Sequence, residues 1–187
     1  MDQNGRSRGD GNREKSSGRN LRELAGLNGM YEVREARRED FEHIAEFPKD
    51  RREAFFMYPK GSYPFSADQL YEVSLTRAIP TVILREDEVV GYANVYDWTE
   101  GESCWIGNVV VNPRHRGQGA GKFLIETMIK KAKEELKVKE INLVCHNVNT
   151  RALLLYHKIG FKPFGIKPII DHENRDIAGI LMRYSLS

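Results

Sequence analysis

The residues best suited to chemistry sit in one stretch, Val109-Val110-Val111-Asn112-Pro113-Arg114-His115-Arg116-Gly117-Gln118-Gly119-Ala120-Gly121-Lys122. An apolar strand runs there into a glycine-rich turn that opens a long amphipathic helix. Glycine permits positive φ and lets a ligand approach with no Cβ in the way, so successive amides can converge on phosphate oxygens. The helix start adds unpaired N–H groups and partial positive charge. The chemistry offered is therefore anion capture, and the spacing decides which anion. A nucleotide-hydrolysing loop needs Gly, four residues, then Gly-Lys-Ser/Thr; Gly121-Lys122 is present, but Arg116 occupies the first glycine position and Phe123 the hydroxyl position. A dinucleotide turn counted from Gly117 and Gly119 would need its third glycine at Lys122. Both readings fail.

The pattern that does fit is Arg-x-x-Gly-x-Gly at Arg116, Gly119 and Gly121. A second ordered motif follows, Asn-x-x-Ala-x-x-x-Tyr-x-x-x-Gly-Phe at Asn149, Ala152, Tyr156 and Gly160-Phe161. Together they resemble the two cofactor motifs of the GNAT N-acetyltransferase superfamily, with the resemblance running from about Tyr31 to the C-terminus. It implies an α/β fold: a mixed, mainly antiparallel twisted sheet flanked by helices, with two splayed parallel strands holding the cofactor. It implies acetyl-CoA as co-substrate and direct transfer of the acetyl group to a primary amine in a ternary complex.

Roles follow from the resemblance together with residue chemistry. Arg116 supplies a fixed cation, and the amides of Gly117, Gln118, Gly119, Ala120, Gly121 and Lys122 face the pyrophosphate. Within Val109-Val110-Val111, main-chain groups of Val109 and Val111 pair with the pantetheine arm, and an amide there polarises the thioester carbonyl. A strand distortion near Asn108 would open those groups. Asn149 resembles the asparagine that binds pantetheine, although Asn before a helix is also an ordinary cap. Tyr156 is the expected catalytic residue: a phenol of ordinary pKa about 10 can protonate the leaving sulfur.

The base departs from the commonest pattern. Where many relatives carry a glutamate stands Trp105, and a second position often acidic aligns with Val144. His146, Asp97 and water remain alternatives. Phe55, Phe56, Tyr58, Tyr63 and Phe65 either wall the amine site or cover the sheet. A small-molecule amine is the first choice of acceptor and a protein or peptide amine the second. A non-catalytic acyl-CoA-binding module and a protein-interaction domain are the rival classes.

These residues need elements to hold them. Tyr31–Ala36 reads as a strand, Asp40 as the cap of a helix with Phe41, Ile44, Ala45 and Phe47, and Ser66 with Gln69 as a capping box before Leu70, Val73 and Leu75. The aromatic run Phe55–Phe65 between them reads as a loop. Thr81–Arg85, Val89–Trp98 and Trp105–Val111 read as strands. The helix after the turn buries Leu124, Ile125, Met128, Ile129, Ala132 and Leu136. Ile141–Cys145 is a buried strand, Thr150–Ile159 a helix, and residues 167–170 and 177–184 a closing hairpin.

The bulk chemistry excludes several classes. The 187 residues suit one domain at about 150 residues per domain. Net charge is +2, from 29 basic and 27 acidic residues, which calls for neither nucleic acid nor an anionic membrane. Cys104 and Cys145 lack metal-ligand spacing, so no metal is expected and a reducing cytoplasm is. No run nears the ~18 apolar residues of a membrane span. Residues 1–29 are rich in Gly, Arg, Asn and Ser and are expected to form a disordered extension, dispensable before a catalytic domain at 30–187. Oligomeric state is not written in the residues, and the resemblance leaves a homodimer open.

Overall fold

In chain order the elements are β1 (Glu32–Glu35), α1 (Asp40–Ile44), α2 (Arg51–Met57), α3 (Ala67–Ser74), β2 (Ala78–Arg85), β3 (Glu88–Thr99), β4 (Ser103–Val111), a 3-10 turn at Pro113–His115, α4 (Ala120–Glu135), β5 (Glu140–His146), α5 (Thr150–Ile159), β6 (Lys162–Ile170) and β7 (Asp176–Ser185). The structure, a computed structural model, describes residues 29–186. The expected extension thus lies, apart from Gly29, outside the described residues.

One seven-stranded sheet runs in the order β1-β2-β3-β4-β5-β7-β6. Every neighbouring pair is antiparallel except β4 and β5, which are parallel and joined through α4. Helix α4 lays a buried stripe of Phe123, Leu124, Ile125, Met128, Ile129 and Ala132 on one face of the sheet, against Ile83, Val90, Ala93, Ile106, Ile141 and Leu143. Each such side chain larger than alanine contributes about 1.5–3 kcal/mol when withdrawn fully from water. On the other face α1, α2 and α3 cover Val82, Tyr92 and Val110 with Phe41, Ile44, Met57 and Leu70, joined by Phe47 from the segment after α1.

Strand β4 takes part in both cores, and a bulge decides which of its residues faces which. Cys104 and Ile106 belong to the α4 core, so strict alternation would put Val110 there too. Instead the register steps from Asn94↔Gly107 to Tyr92↔Val110, with Asn108 at φ 51, and Val110 faces the α1–α3 core. The extra residue turns the strand over beyond Asn108. The expected distortion is present at that residue.

Three local expectations need correction. The aromatic segment is not wholly loop: Phe55, Phe56 and Met57 complete α2, which starts at Asp50, whose carboxylate accepts the Glu53 amide at 2.8 Å. Asp40 lies inside α1 rather than capping it, because its carboxylate is held by Arg34 at 2.6 and 2.8 Å and accepts the Arg37 amide at 2.7 Å. Leu75, expected inward, is 67% exposed just past the end of α3, while the Ser66 cap bonds the Gln69 amide as expected.

Candidate active site

Five consecutive amides in the turn after β4 are unspent. Gly117 (φ +75) and Gly119 (φ +91) have left-handed backbones, and Gly119 starts α4 with no side-chain cap. Among the described residues the N–H groups of Gly117, Gln118, Gly119, Ala120 and Gly121 have no hydrogen-bond acceptor, whereas the next ladder bond, Phe123 N–H to Gly119 carbonyl at 3.0 Å, is made. Such a run of positively polarised donors at a helix start fits a pyrophosphate. Side chains brace the turn from outside. The Tyr31 hydroxyl donates to the Gln118 carbonyl at 3.3 Å, and the Gln118 side chain accepts from Arg85 at 2.9 Å and donates to the Arg114 carbonyl at 3.1 Å.

Arg116 is placed differently from the expectation. Its guanidinium grips both oxygens of Glu53 at 2.7 and 2.9 Å, and its Nε donates to the Val111 carbonyl at 3.1 Å. A fork so occupied braces the turn against α2 rather than standing open to an anion. The cation left over is one the sequence reading did not name. A Cβ on Gly117 would lie 3.7 Å from Nη2 of Arg151, which is exposed on α5 and has no ion-pair partner among the described residues. Its signal was its place, two residues past Asn149 in the second motif.

Beside the turn the two parallel strands part. They pair only over Ser103–Trp105 and Glu140–Asn142; beyond that, Ile106–Val111 and Leu143–His146 have no mutual register. Val110 is directed at β3, opposite Tyr92, and the Asn112 amide bonds Val90 at 2.9 Å. Alternation therefore turns the main-chain groups of Val109 and Val111 into the gap, with the Val111 carbonyl given to Arg116. The bulge is fixed by a buried polar chain: Asn94 Nδ2 donates to Tyr92 Oη at 3.0 Å and to Asn108 Oδ1 at 2.8 Å, and Asn108 Nδ2 donates to the Met57 carbonyl at 3.1 Å.

Asn149 caps α5: its Oδ1 accepts the Ala152 amide at a long 3.4 Å, leaving Nδ2 without a partner among the described residues. Tyr156, on the inner face of α5, is 7% exposed and meets Phe161 edge-on at 5.9 Å. Burial, then the neighbouring Cys145, push its phenol above the ordinary range, and its hydroxyl has no hydrogen-bond partner among the described residues. It is an unspent, firmly held proton.

Of the base candidates, His146 lies on the opposite face of the sheet. His146 ends β5, 5% exposed, with Phe55 at 4.9 Å and Phe56 at 5.6 Å between ring centroids. Burial, helped by Lys167, lowers its pKa, so its imidazole is neutral at neutral pH. Asp97 is exposed near the far end of β3. Trp105 stands in a ladder of rings, 6.2 Å from Tyr96 and 6.4 Å from Phe164. Next to His146 a cleft of about 340 Å³ opens between α2 and the β6–β7 turn, lined by Arg52, Phe55, Phe56, Val148, Asp171 and His172 among others. Burial would raise the Asp171 carboxyl, but the Arg175 amide and guanidinium and the Glu173 amide outweigh it and hold it at about 2. Of the five expected aromatic residues, Phe55 and Phe56 line this cleft, while Tyr58, Tyr63 and Phe65 pack in or against the α1–α3 core.

Comparison with known proteins bears on this geometry. Residues 30–161 match the acetyltransferase (GNAT) family. A Bacillus subtilis protein, named as a candidate ribosomal protein bS18-alanine N-acetyltransferase, is 26% identical over 151 residues, covering 80% of this chain and 92% of that protein. Spermidine N-acetyltransferase from Vibrio cholerae, solved with CoA and spermine, superimposes with a TM-score of 0.70 at 18% identity, over 84% of this chain and 96% of that one. A candidate acetyltransferase from Salmonella typhimurium, solved with its cofactor acetyl-CoA, gives a TM-score of 0.66 at 20% identity, over 84% and 95%. These two structural likenesses concern the fold.

Proposed function

From the premise that the chain belongs to the acetyltransferase (GNAT) family, and is an acetyl-CoA-dependent N-acetyltransferase, we propose that it acetylates the primary amine of a small molecule by direct transfer in a ternary complex. The observation that carries the reading is the coincidence of five unspent amides with a parallel strand pair that parts beside them. Acetyl-CoA, when bound, supplies the acetyl group as a thioester. The amides of Gly117 to Gly121 and the Arg151 guanidinium hold the pyrophosphate, with Arg116 bracing the turn. Val109 and Val111 offer strand-like partners to the pantetheine arm, and the Asn149 amide group joins them. The Val109 N–H donates toward the carbonyl oxygen as negative charge grows there. Tyr156 keeps its proton at working pH and donates it to the departing sulfur.

The acceptor enters through the cleft between α2 and the β6–β7 turn. Phe55 and Phe56 offer faces to a cationic amine, and neutral His146 behind them takes its proton, directly or through water. The 340 Å³ of this cleft suits a small amine. One observation favours a second reading: a wider cleft of about 570 Å³, lined by Asp50, Arg51 and Glu173, shares Arg52, His172 and Arg175 with the first and extends it. That groove suits a peptide amine. The test begins with calorimetric titration of acetyl-CoA, with NAD and ATP as controls; micromolar binding of acetyl-CoA alone is expected. Thiol release is then screened against amino acids, polyamines and a peptide with N-terminal alanine. Turnover with the peptide alone favours the second reading, and absence of acetyl-CoA binding by the folded protein overturns both.

A further inference from the structure

Helix α2 is short, and its attachments run largely to the segments that surround the proposed cofactor site. Glu53 grips Arg116, the residue just before Gly117, at 2.7 and 2.9 Å. The Met57 carbonyl accepts from Asn108, which sits at the bulge that opens β4. Arg52 donates to the Val148 carbonyl, between β5 and Asn149, at 3.2 Å. Phe55 and Phe56 pack on His146 at the end of β5. The same helix presents Arg52, Phe55 and Phe56 to the acceptor cleft.

We infer that Glu53 is a positioning residue: through Arg116 it ties the acceptor wall to the cofactor turn, so that occupation of the turn by acetyl-CoA fixes α2 and the rings it carries. The inference rests on the reading that acetyl-CoA occupies this turn. The linkage is mechanical and short. Arg116 is clamped at one end to β4 through the Val111 carbonyl and at the other to Glu53, so its guanidinium moves with the turn. An anion that gathers the amides of Gly117 to Gly121 removes conformers of the turn, and a two-pronged ion pair passes that restriction to α2. The pair is less than 30% exposed on both sides, and Arg116, against the opposing cost of burial, holds the Glu53 carboxyl below its usual range. By reciprocity, occupation of the cleft tightens acetyl-CoA by the same factor that acetyl-CoA tightens the acceptor.

Amide hydrogen exchange of the full chain, with and without saturating acetyl-CoA, tests this without knowing the acceptor. In the native protein acetyl-CoA is expected to slow exchange both at residues 117–123 and, by roughly tenfold, at residues 51–57. In Glu53→Gln, slowing at 117–123 is expected to persist and most of the slowing at 51–57 to be lost, the remainder passing through Met57, Arg52 and the His146 contacts. A purely structural role for the pair is overturning: Glu53→Gln would then speed exchange at 51–57 equally with and without acetyl-CoA, leaving the ligand-dependent slowing intact. Native protein protected at 117–123 but not at 51–57 overturns the coupling alone. Protection at neither segment overturns the assignment of acetyl-CoA to the turn. Should Glu53→Gln not fold, Glu53→Asp keeps the charge with a shorter reach, and more than half of the ligand-dependent slowing at 51–57 is expected to be lost; full retention overturns the proposal.

Discussion

Replacing Tyr156 by Phe separates chemistry from architecture unusually cleanly, because the ring is packed and the hydroxyl is unspent. The phenol lies in the α4 core with Phe161 edge-on at 5.9 Å, and its oxygen has no hydrogen-bond partner among the described residues. Phe keeps the ring volume and removes only an oxygen that gains nothing from the protein. No hydrogen bond is lost and no cavity opens, so the melting temperature should hold within about 2 °C. The catalytic cost is another matter. A positioned acid contributes typically 10²–10⁴-fold, which at 1.36 kcal/mol per tenfold is about 3–5 kcal/mol of barrier. Burial pushes the phenol above its ordinary value of 10, so Tyr156 holds its proton across the working range and has it to give as the proposed acid. The assay is steady-state thiol release with saturating acetyl-CoA and an accepted amine, alongside calorimetric titration of acetyl-CoA. The expected result is kcat lowered at least a hundredfold with the dissociation constant within threefold of native. A kcat within threefold of native would refute the assignment. A melting temperature lowered by more than about 5 °C would show that the hydroxyl has a structural partner, contrary to its unbonded state.

Three other outcomes follow from the same geometry. Gly119→Ala forces a side chain onto a backbone at φ +91, costing about 1–3 kcal/mol of stability, and adds a methyl beside the unspent amides; acetyl-CoA affinity should fall at least tenfold, and unchanged affinity would show that these amides do not hold the pyrophosphate. Arg151→Ala removes an exposed guanidinium beside Gly117; discounted for solvent, this costs about 1 kcal/mol, or fivefold in acetyl-CoA affinity, with the difference shrinking at high salt. Equal salt dependence in native and variant protein would clear Arg151 of phosphate contact. His146 is held neutral by burial, so its folded pKa lies below the ordinary 6.5 and the unfolded chain binds the extra proton between the two values. Stability therefore rises with pH through that window and falls as pH drops below 6.5. Urea midpoints at about pH 5 and pH 7.5 should differ more for native protein than for His146→Gln, and equal differences would refute the assignment.

The legible part of this chain is the part whose elements carry their own signals. Helix α4 announces itself through Leu124, Ile125, Met128 and Ala132 at helical spacing, and α5 runs from its Asn149 cap to Gly160 at φ +121 within the expected bounds. Glycines before a helix point to unspent amides by simple stereochemistry, and the amides of Gly117 to Gly121 are indeed without acceptors among the described residues. Helix α2 could not be read so easily. It has two turns, and its Ala54-Phe55-Phe56-Met57 run has no helical period. The one local mark was Asp50-Arg51-Arg52-Glu53, an acid at the cap position and another three residues on. The destination of Arg116 was illegible for a different reason: its partner Glu53 is 63 residues earlier, and nothing local to Arg116 distinguishes a carboxylate from a phosphate as the group it grips.

That difference has a physical origin and a consequence for specificity. The proposed cofactor half of the site is made by segments continuous in sequence, the end of β4 with its turn and the start of α5, and it would work chiefly through backbone donors. Those donors persist under most side-chain changes. The proposed acceptor half is assembled from α2, His146 at the end of β5, and the β6–β7 turn, which meet only in the folded protein. The last of these is tied down locally: Asp171 accepts the amides of Glu173 and Arg175 at 2.8 and 2.9 Å and the Arg175 guanidinium at 2.9 Å. A carboxyl held at about 2 keeps this turn charged above pH 4, with its contribution lost progressively as pH falls from the ordinary 3.8 to about 2. The cleft therefore has one wall braced within itself and another, α2, hung from the cofactor segments. Choice of amine can change through side chains on these walls while the phosphate cradle stays as it is.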